Sequence, residues 1–252
     1  MLVLSLPPAL AGPEAAPASA VEALPASPAK LFAALAKDTR PQWRTYFRAT
    51  VPHATGDRCK AALSLGAICA DCYLAAEARD AQQVLNLLTD MTALEMALSI
   101  SRQAGGTRLK FIELAEAGDW NGVRAEIAGL MTLHEQSFAA QRDDLLAELE
   151  RTGCWLRAWH TGARYSSRQS KPPAQPCIWS AALLDDIRTR TAKATEGHDA
   201  PALKTLTAAL DALHQTWSGN LDAAARLAAT LKTLDPLMAD LIGDAPARQS
   251  SP

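Results

Sequence analysis

The chain has 252 residues, with 52 Ala and 35 Leu against only 5 Val and 7 Ile, and 25 basic against 27 acidic side chains. Ala and Leu favour helix whereas Val and Ile favour a pleated surface, so the composition predicts an all-α protein and excludes a Rossmann domain, barrel or sandwich. A net charge of −2 with a pI near 6.2 excludes a general attraction for nucleic acid or an anionic membrane, and no run approaches the ~18 consecutive apolar residues of a transmembrane segment.

Met1 to Leu6 is apolar, Pro7-Pro8 follows, and Ala9-Leu10-Ala11 has the small-x-small pattern of a signal-peptidase site. Residues 1–11 therefore read either as a signal peptide cut short, lacking its basic n-region, which predicts a periplasmic or otherwise exported protein, or as no signal at all. Residues 12–28, with four Pro and six Ala, bury too little to offset the entropy of ordering and read as a disordered tether. An all-helical domain is expected over 29–243 and a disordered tail over 244–252.

Ser27-Pro28 opens the first helix, with an N-cap hydroxyl followed by a ring that fixes φ at the first helical position. A break at Thr39-Arg40-Pro41 precedes a second short helix, on which Trp43 and Phe47 share a face beside Arg40, Arg44 and Arg48. Those arginines either grip an anionic surface or, more commonly, snorkel around an aromatic core stripe. From Thr55 onward the apolar period is helical, as in Val84, Leu87, Leu88, Met91, Leu94 and Leu98, or Leu203, Leu206, Leu210, Leu213 and Trp217. Breaks are predicted at Arg79-Asp80, Gly105-Gly106, Gly118-Asp119, Thr152-Gly153, Gly197 to Asp199, Gly219-Asn220 and Asp235-Pro236, giving about nine or ten helices.

One sequence pattern recurs. Ala76-Glu77-Ala78-Arg79-Asp80 precedes Val84, and Ala115-Glu116-Ala117-Gly118-Asp119 precedes Val123 with a 39-residue offset. Thr195-Glu196-Gly197-His198-Asp199 before Leu203 is a fainter third copy. The recurrence predicts a bundle of antiparallel helical hairpins or a solenoid-like helical repeat, or marks simply three helix–turn–helix junctions with Asp caps.

Leu65-Gly66-Ala67-Ile68-Cys69-Ala70-Asp71, running through Tyr73 to Ala81-Gln82, and Gly153-Cys154-Trp155-Leu156-Arg157 resemble segments of an uncharacterised family of exported all-helical bacterial proteins. The resemblance implies export and an all-helical fold and assigns no activity. Cys72 departs from the family's pattern.

Candidate chemistry is sparse. Cys69 and Cys72 have the CxxC spacing of redox and metal sites, yet Tyr73 stands where covalent haem attachment needs His, there is no second CxxC, and buried Cys is common in helices. His53, His134, His160, His198 and His214 are scattered; His134 lies on the core stripe of its helix and reads as a satisfied interior histidine. Asp211 and His214 form a single carboxylate-x-x-His pair, short of a di-iron set. There is no GxSxG, HExxH or P-loop, and Asp143-Asp144 and Asp185-Asp186 read as surface charge beside Arg142 and Arg188. No catalytic constellation, metal set or cofactor is predicted.

The segment 151–184 departs from the rest. It holds Arg151, Arg157, Arg164, Arg168 and Lys171 with no acidic residue, interleaved with Trp155, Trp159, His160, Tyr165 and Trp179. Ser166 to Pro176 reads as a long exposed connection. Trp155, Arg157, Trp159, His160, Arg164, Tyr165, Arg168 and Lys171 are the candidate contact residues for another protein or an anionic ligand; the plainer reading puts both tryptophans in the core. Cys154 and Cys177 bracket the segment and are a candidate disulfide in an oxidising compartment. The expected function is that of an exported, non-enzymatic helical binding or interaction protein; the alternative is a metal- or haem-binding bundle using Cys69, Cys72 and His residues.

Overall fold

The computed structural model describes residues 27–37, 41–48, 56–100, 104–169 and 181–242. Among these it is all-helical, with no strand: α1 (Pro28–Lys37), a 3-10 turn (Trp43–Tyr46), α2 (Arg58–Glu77), α3 (Ala81–Ala97), α4 (Ala104–Glu116), α5 (Trp120–Gln141), α6 (Asp144–Ser167), α7 (Ala181–Thr195), α8 (Pro201–Ser218) and α9 (Ala223–Leu241). The expected signal, most of the tether, and the C-terminal tail lie outside the described residues.

The largest helix–helix contact joins α2 to α6, far apart in sequence, and α1, α5 and α9 pack around this pair. A solenoid would instead place its main contacts between sequence neighbours. α2 is buried all round, from Ala61 to Ala76, so it shows no amphipathic face. It is long and apolar enough to cross a membrane by length and composition, although no run is uninterruptedly apolar, and 83% of its most apolar window is buried inside the bundle.

Two glycines set the closeness of this central pair. A Cβ on Gly66 of α2 would overlap the Glu150 carbonyl of α6, and one on Gly153 of α6 would overlap the Leu63 carbonyl of α2. Thr152-Gly153 is therefore the middle of a helix rather than the predicted break. The real boundary lies at Arg142, left-handed at φ 57, followed by Asp143, whose carboxylate accepts from the Leu146 amide to cap α6. Asp143 is thus a helix cap as well as a surface charge.

The break expected near Gly105-Gly106 falls just ahead of them, between Ala97 and Ala104, whereas the one at Asp235-Pro236 is corrected. Gly105 and Gly106 sit in the first turn of α4, where amide donors lack intrahelical partners anyway, so glycine costs little helix hydrogen bonding there. Pro236 lies inside α9. It removes one ladder bond, but Leu234, Leu237, Met238 and Leu241 are buried on either side of it, and this packing carries the helix through.

The recurrent pattern marks one turn geometry. Arg79 and Gly118 are both left-handed, and the following Asp80 and Asp119 amides donate to the carbonyls of Ala75 and Leu114, five residues back in each case. Each Asp side chain then caps the next helix, accepting from Gln83 and Gly122. Gly197 repeats the left-handed turn, but α8 starts from Ala200 with Pro201 in its first turn and no side-chain cap.

Helical glycines consequently differ in what they tolerate. Gly66→Ala and Gly153→Ala are each expected to lower unfolding free energy by about 2 kcal/mol or more through overlap with a facing backbone. Gly129→Ala, exposed on α5 with nothing within 4 Å of the new methyl, is expected to raise it by about 0.5–1 kcal/mol. Denaturant midpoints of the three variants measure both signs.

Candidate functional site

The continuity of α6 decides the fate of the basic-aromatic segment. Trp155, Arg157, Trp159, His160 and Tyr165 are all buried, so they form core rather than an exposed contact surface. The two tryptophans pack against each other with ring centroids 5.6 Å apart, and Tyr165 packs on Trp43 at 5.7 Å. Of the described candidate contact residues, only Arg164, salt-bridged to Asp235 at 3.2 Å, and Arg168, over the Tyr46 ring, are not buried. Ser166 and Ser167 belong to α6 rather than to a loop. Lys171, Cys177 and Trp179 lie outside the described residues. Cys154 is a buried free thiol.

Helices buried on every side must neutralise the charges they carry. Asp71 of α2 accepts from Arg48 Nε at 2.6 Å on one oxygen and from Arg157 Nε at 2.7 Å on the other. Arg157 also donates to the Tyr46 carbonyl at 2.7 Å, while Arg48 reaches the Ile242 carbonyl at 3.4 Å. One carboxylate thus ties α2 and α6 to both ends of the described chain. Arg44, by contrast, pairs with Asp80 at the surface, Arg48 is buried against Asp71 and not available to an external anion, and Arg40 lies outside the described residues.

His160 continues this network. Its Nδ1 lies 3.1 Å from Arg157 Nη1, and its Nε2 lies 2.8 Å from Asp235. An arginine can only donate, so Nδ1 accepts and the Nε2–H donates to Asp235: the neutral tautomer. Burial, reinforced by Arg157, holds the imidazole well below its ordinary range, against the opposing pull of Asp235.

A second polar cluster lies where α2, α3, α5 and α6 meet. His134 of α5 places Nδ1 2.7 Å from Glu150 of α6 and Nε2 2.9 Å from Glu95 of α3. Burial alone lowers the imidazole's basicity, but hydrogen bonds to Glu150 and Glu95 overcome it and push its pKa up to about 9. Cys69 of α2 completes the cluster, with Sγ 3.9 Å from the same Glu150 oxygen. The Cys69, His134 and Glu150 donor atoms all lie within 4.8 Å of one another. Burial, then the Glu150 charge, raises the Cys69 and Cys154 thiols well above their ordinary range.

His134 is therefore the satisfied interior histidine that its stripe position predicts. The sequence gives no linear sign of its partners, since Glu95 and Glu150 lie 39 and 16 residues away. Cys72 is buried on α2 near Asp71 and Arg48. Asp211 pairs with Arg188, and His214 sits beside Asp185 and Ser218, so this carboxylate-x-x-His pair is ordinary surface charge. His53 lies outside the described residues.

The accessible feature is a groove. α5 and α7 both pack on α6 and leave between them two hollows of about 650 and 490 Å³ that share Arg151 and Arg190. The smaller is largely apolar, with Met131, Trp155 and Leu183 on its walls and Tyr73 and Cys154 reaching its lining. The larger is charged, with Glu135, Arg142, Asp144, Lys193 and His198. Arg151 is occupied by Glu135 and Glu148, and Arg190 by Glu148 and Asp186.

Two outcomes follow from the buried ion network. Asp71→Asn removes the buried carboxylate charge that Arg48 and Arg157 share and is expected to cost about 3–5 kcal/mol of unfolding free energy, read by chemical denaturation. His160 binds its proton in the unfolded chain below about pH 6.5 but resists it when folded, so its contribution to stability is present above that pH and is lost as pH falls below it. Unfolding free energy measured between pH 7 and pH 4 is expected to fall less steeply in His160→Gln than in wild type.

No protein-family model, curated protein or solved structure matches this chain.

Proposed function

We propose that this chain is an exported binding protein, and that the groove over α6 receives a segment of a partner protein carrying apolar anchors next to an acidic group. The observation that carries this reading is the groove's division into two chemically distinct halves meeting at Arg151 and Arg190. Apolar side chains gain by leaving water against Met131, Trp155 and Leu183. An adjacent carboxylate meets Arg142 and Lys193, neither of which has a salt bridge among the described residues. Mixed lining of this kind gives register as well as affinity, since a reversed segment sets its acid against apolar walls.

Part of the basic-aromatic segment keeps a contact role here, through Arg151, Leu183 and, of the eight residues named from sequence, Trp155 alone. Export rests on the Met1 to Leu6 stretch, on Ala9-Leu10-Ala11, and on the resemblance to exported helical proteins.

Selection of random peptides on the purified protein tests the groove. Selected sequences are expected to share apolar anchors followed by Asp or Glu. Their affinity is expected to drop about tenfold in Met131→Glu and in Lys193→Glu, corresponding to about 1.4 kcal/mol each. Leu109→Glu, an exposed apolar position on α4, is expected to leave binding unchanged. Selected peptides that bind both groove variants as tightly as wild type defeat the reading.

A further inference from the structure

We propose that Cys69, His134 and Glu150 form a binding site for a divalent transition-metal ion of the zinc class, with Glu95 orienting the imidazole from the far side. A thiolate, an imidazole and a carboxylate together suit a borderline-soft ion, whereas calcium and magnesium take all-oxygen sets. The three donors come from three different helices, α2, α5 and α6, and nevertheless converge within 4.8 Å of one another. Tetrahedral zinc bonds of about 2.0–2.3 Å set neighbouring donors roughly 3.2–3.8 Å apart. The 3.9 Å from Cys69 Sγ and the 2.7 Å from His134 Nδ1 to the Glu150 oxygen bracket that range, and with all three donors within 4.8 Å of one another, side-chain adjustments of about an ångström bring them to three tetrahedral positions.

The surroundings fit as well as the donors. Glu95 holds His134 Nε2 at 2.9 Å, which leaves Nδ1 as the ligating nitrogen and reproduces the carboxylate–imidazole pairing that supports metal-bound histidine. Two carboxyl groups, of Glu95 and Glu150, face one imidazole among residues no more than 6% exposed. The apolar half of the groove reaches Cys154, one helical turn from Glu150 on α6.

The test uses the full chain, reduced and freed of metal with a chelator, then titrated with Co²⁺ and followed by absorption. Wild type is expected to take up a stoichiometric ion with a sulfur-to-cobalt charge-transfer band and intense visible bands of tetrahedral cobalt, both abolished by added Zn²⁺. Cys69→Ser is expected to remove the charge-transfer band, Glu95→Gln to weaken binding about 10–100-fold, and Cys72→Ser to change neither. Folded wild type that takes up no Co²⁺ or Zn²⁺ overturns the proposal, as does a charge-transfer band that survives Cys69→Ser. X-ray absorption of zinc-loaded wild type needs no variant: a shell with at least one sulfur beside nitrogen and oxygen is expected, and a shell without sulfur overturns the site.

Discussion

The backbone-to-backbone approach of α2 and α6 at Gly66 and Gly153 is the constraint on which the rest of this protein depends. Two helices brought this close present each other with little more than small residues and main chain. Larger apolar groups must then radiate outward, where α1, α5 and α9 cover them. α2 can be apolar all round because it is surrounded. α6 is surrounded too, yet it carries Glu148, Glu150, Arg157 and His160 into the interior.

Those charges make the core specific rather than merely oily. A buried Asp71 accepts from two arginines, one on α6 and one just beyond the 3-10 turn, and the second arginine also reaches the carbonyl at the end of α9. An apolar contact tolerates sliding by a turn of helix; a carboxylate with both oxygens engaged does not. The network thereby fixes where both ends of the described chain dock. Its strength has a cost, since loss of one member strands charges that have no water to turn to.

The same helix presents different chemistry on its other sides. Toward α3 and α5 it offers Glu150 to the Cys69 and His134 cluster, and between α5 and α7 it forms the floor of the groove. Cys154 sits between the two, lining the groove while its thiol feels the Glu150 charge. An ion in the cluster would therefore brace α2, α5 and α6 directly beneath the proposed peptide site. Cys69, His134 and Glu150 do not line the groove, so substitution of Met131 or Lys193 leaves the donor set itself intact.

Composition by itself determined the helical class, and local signals determined the ends that depend on local chemistry. Ser27-Pro28, Arg79-Asp80 and Gly118-Asp119 mark real boundaries, because capping and left-handed turns are settled within a few residues of chain. Tertiary structure decided whatever depends on a distant partner. Gly153 reads locally as a stop but serves close packing on Leu63, and Asp235-Pro236 reads as a break but is carried through by its buried neighbours. Arg157 and Trp159 read as a contact surface until α6 is seen to run through the centre of the bundle. The convergence of Cys69, Glu95, His134 and Glu150 from four helices left no linear trace, since hydrogen-bond geometry depends on positions in space that spacing along the chain does not encode.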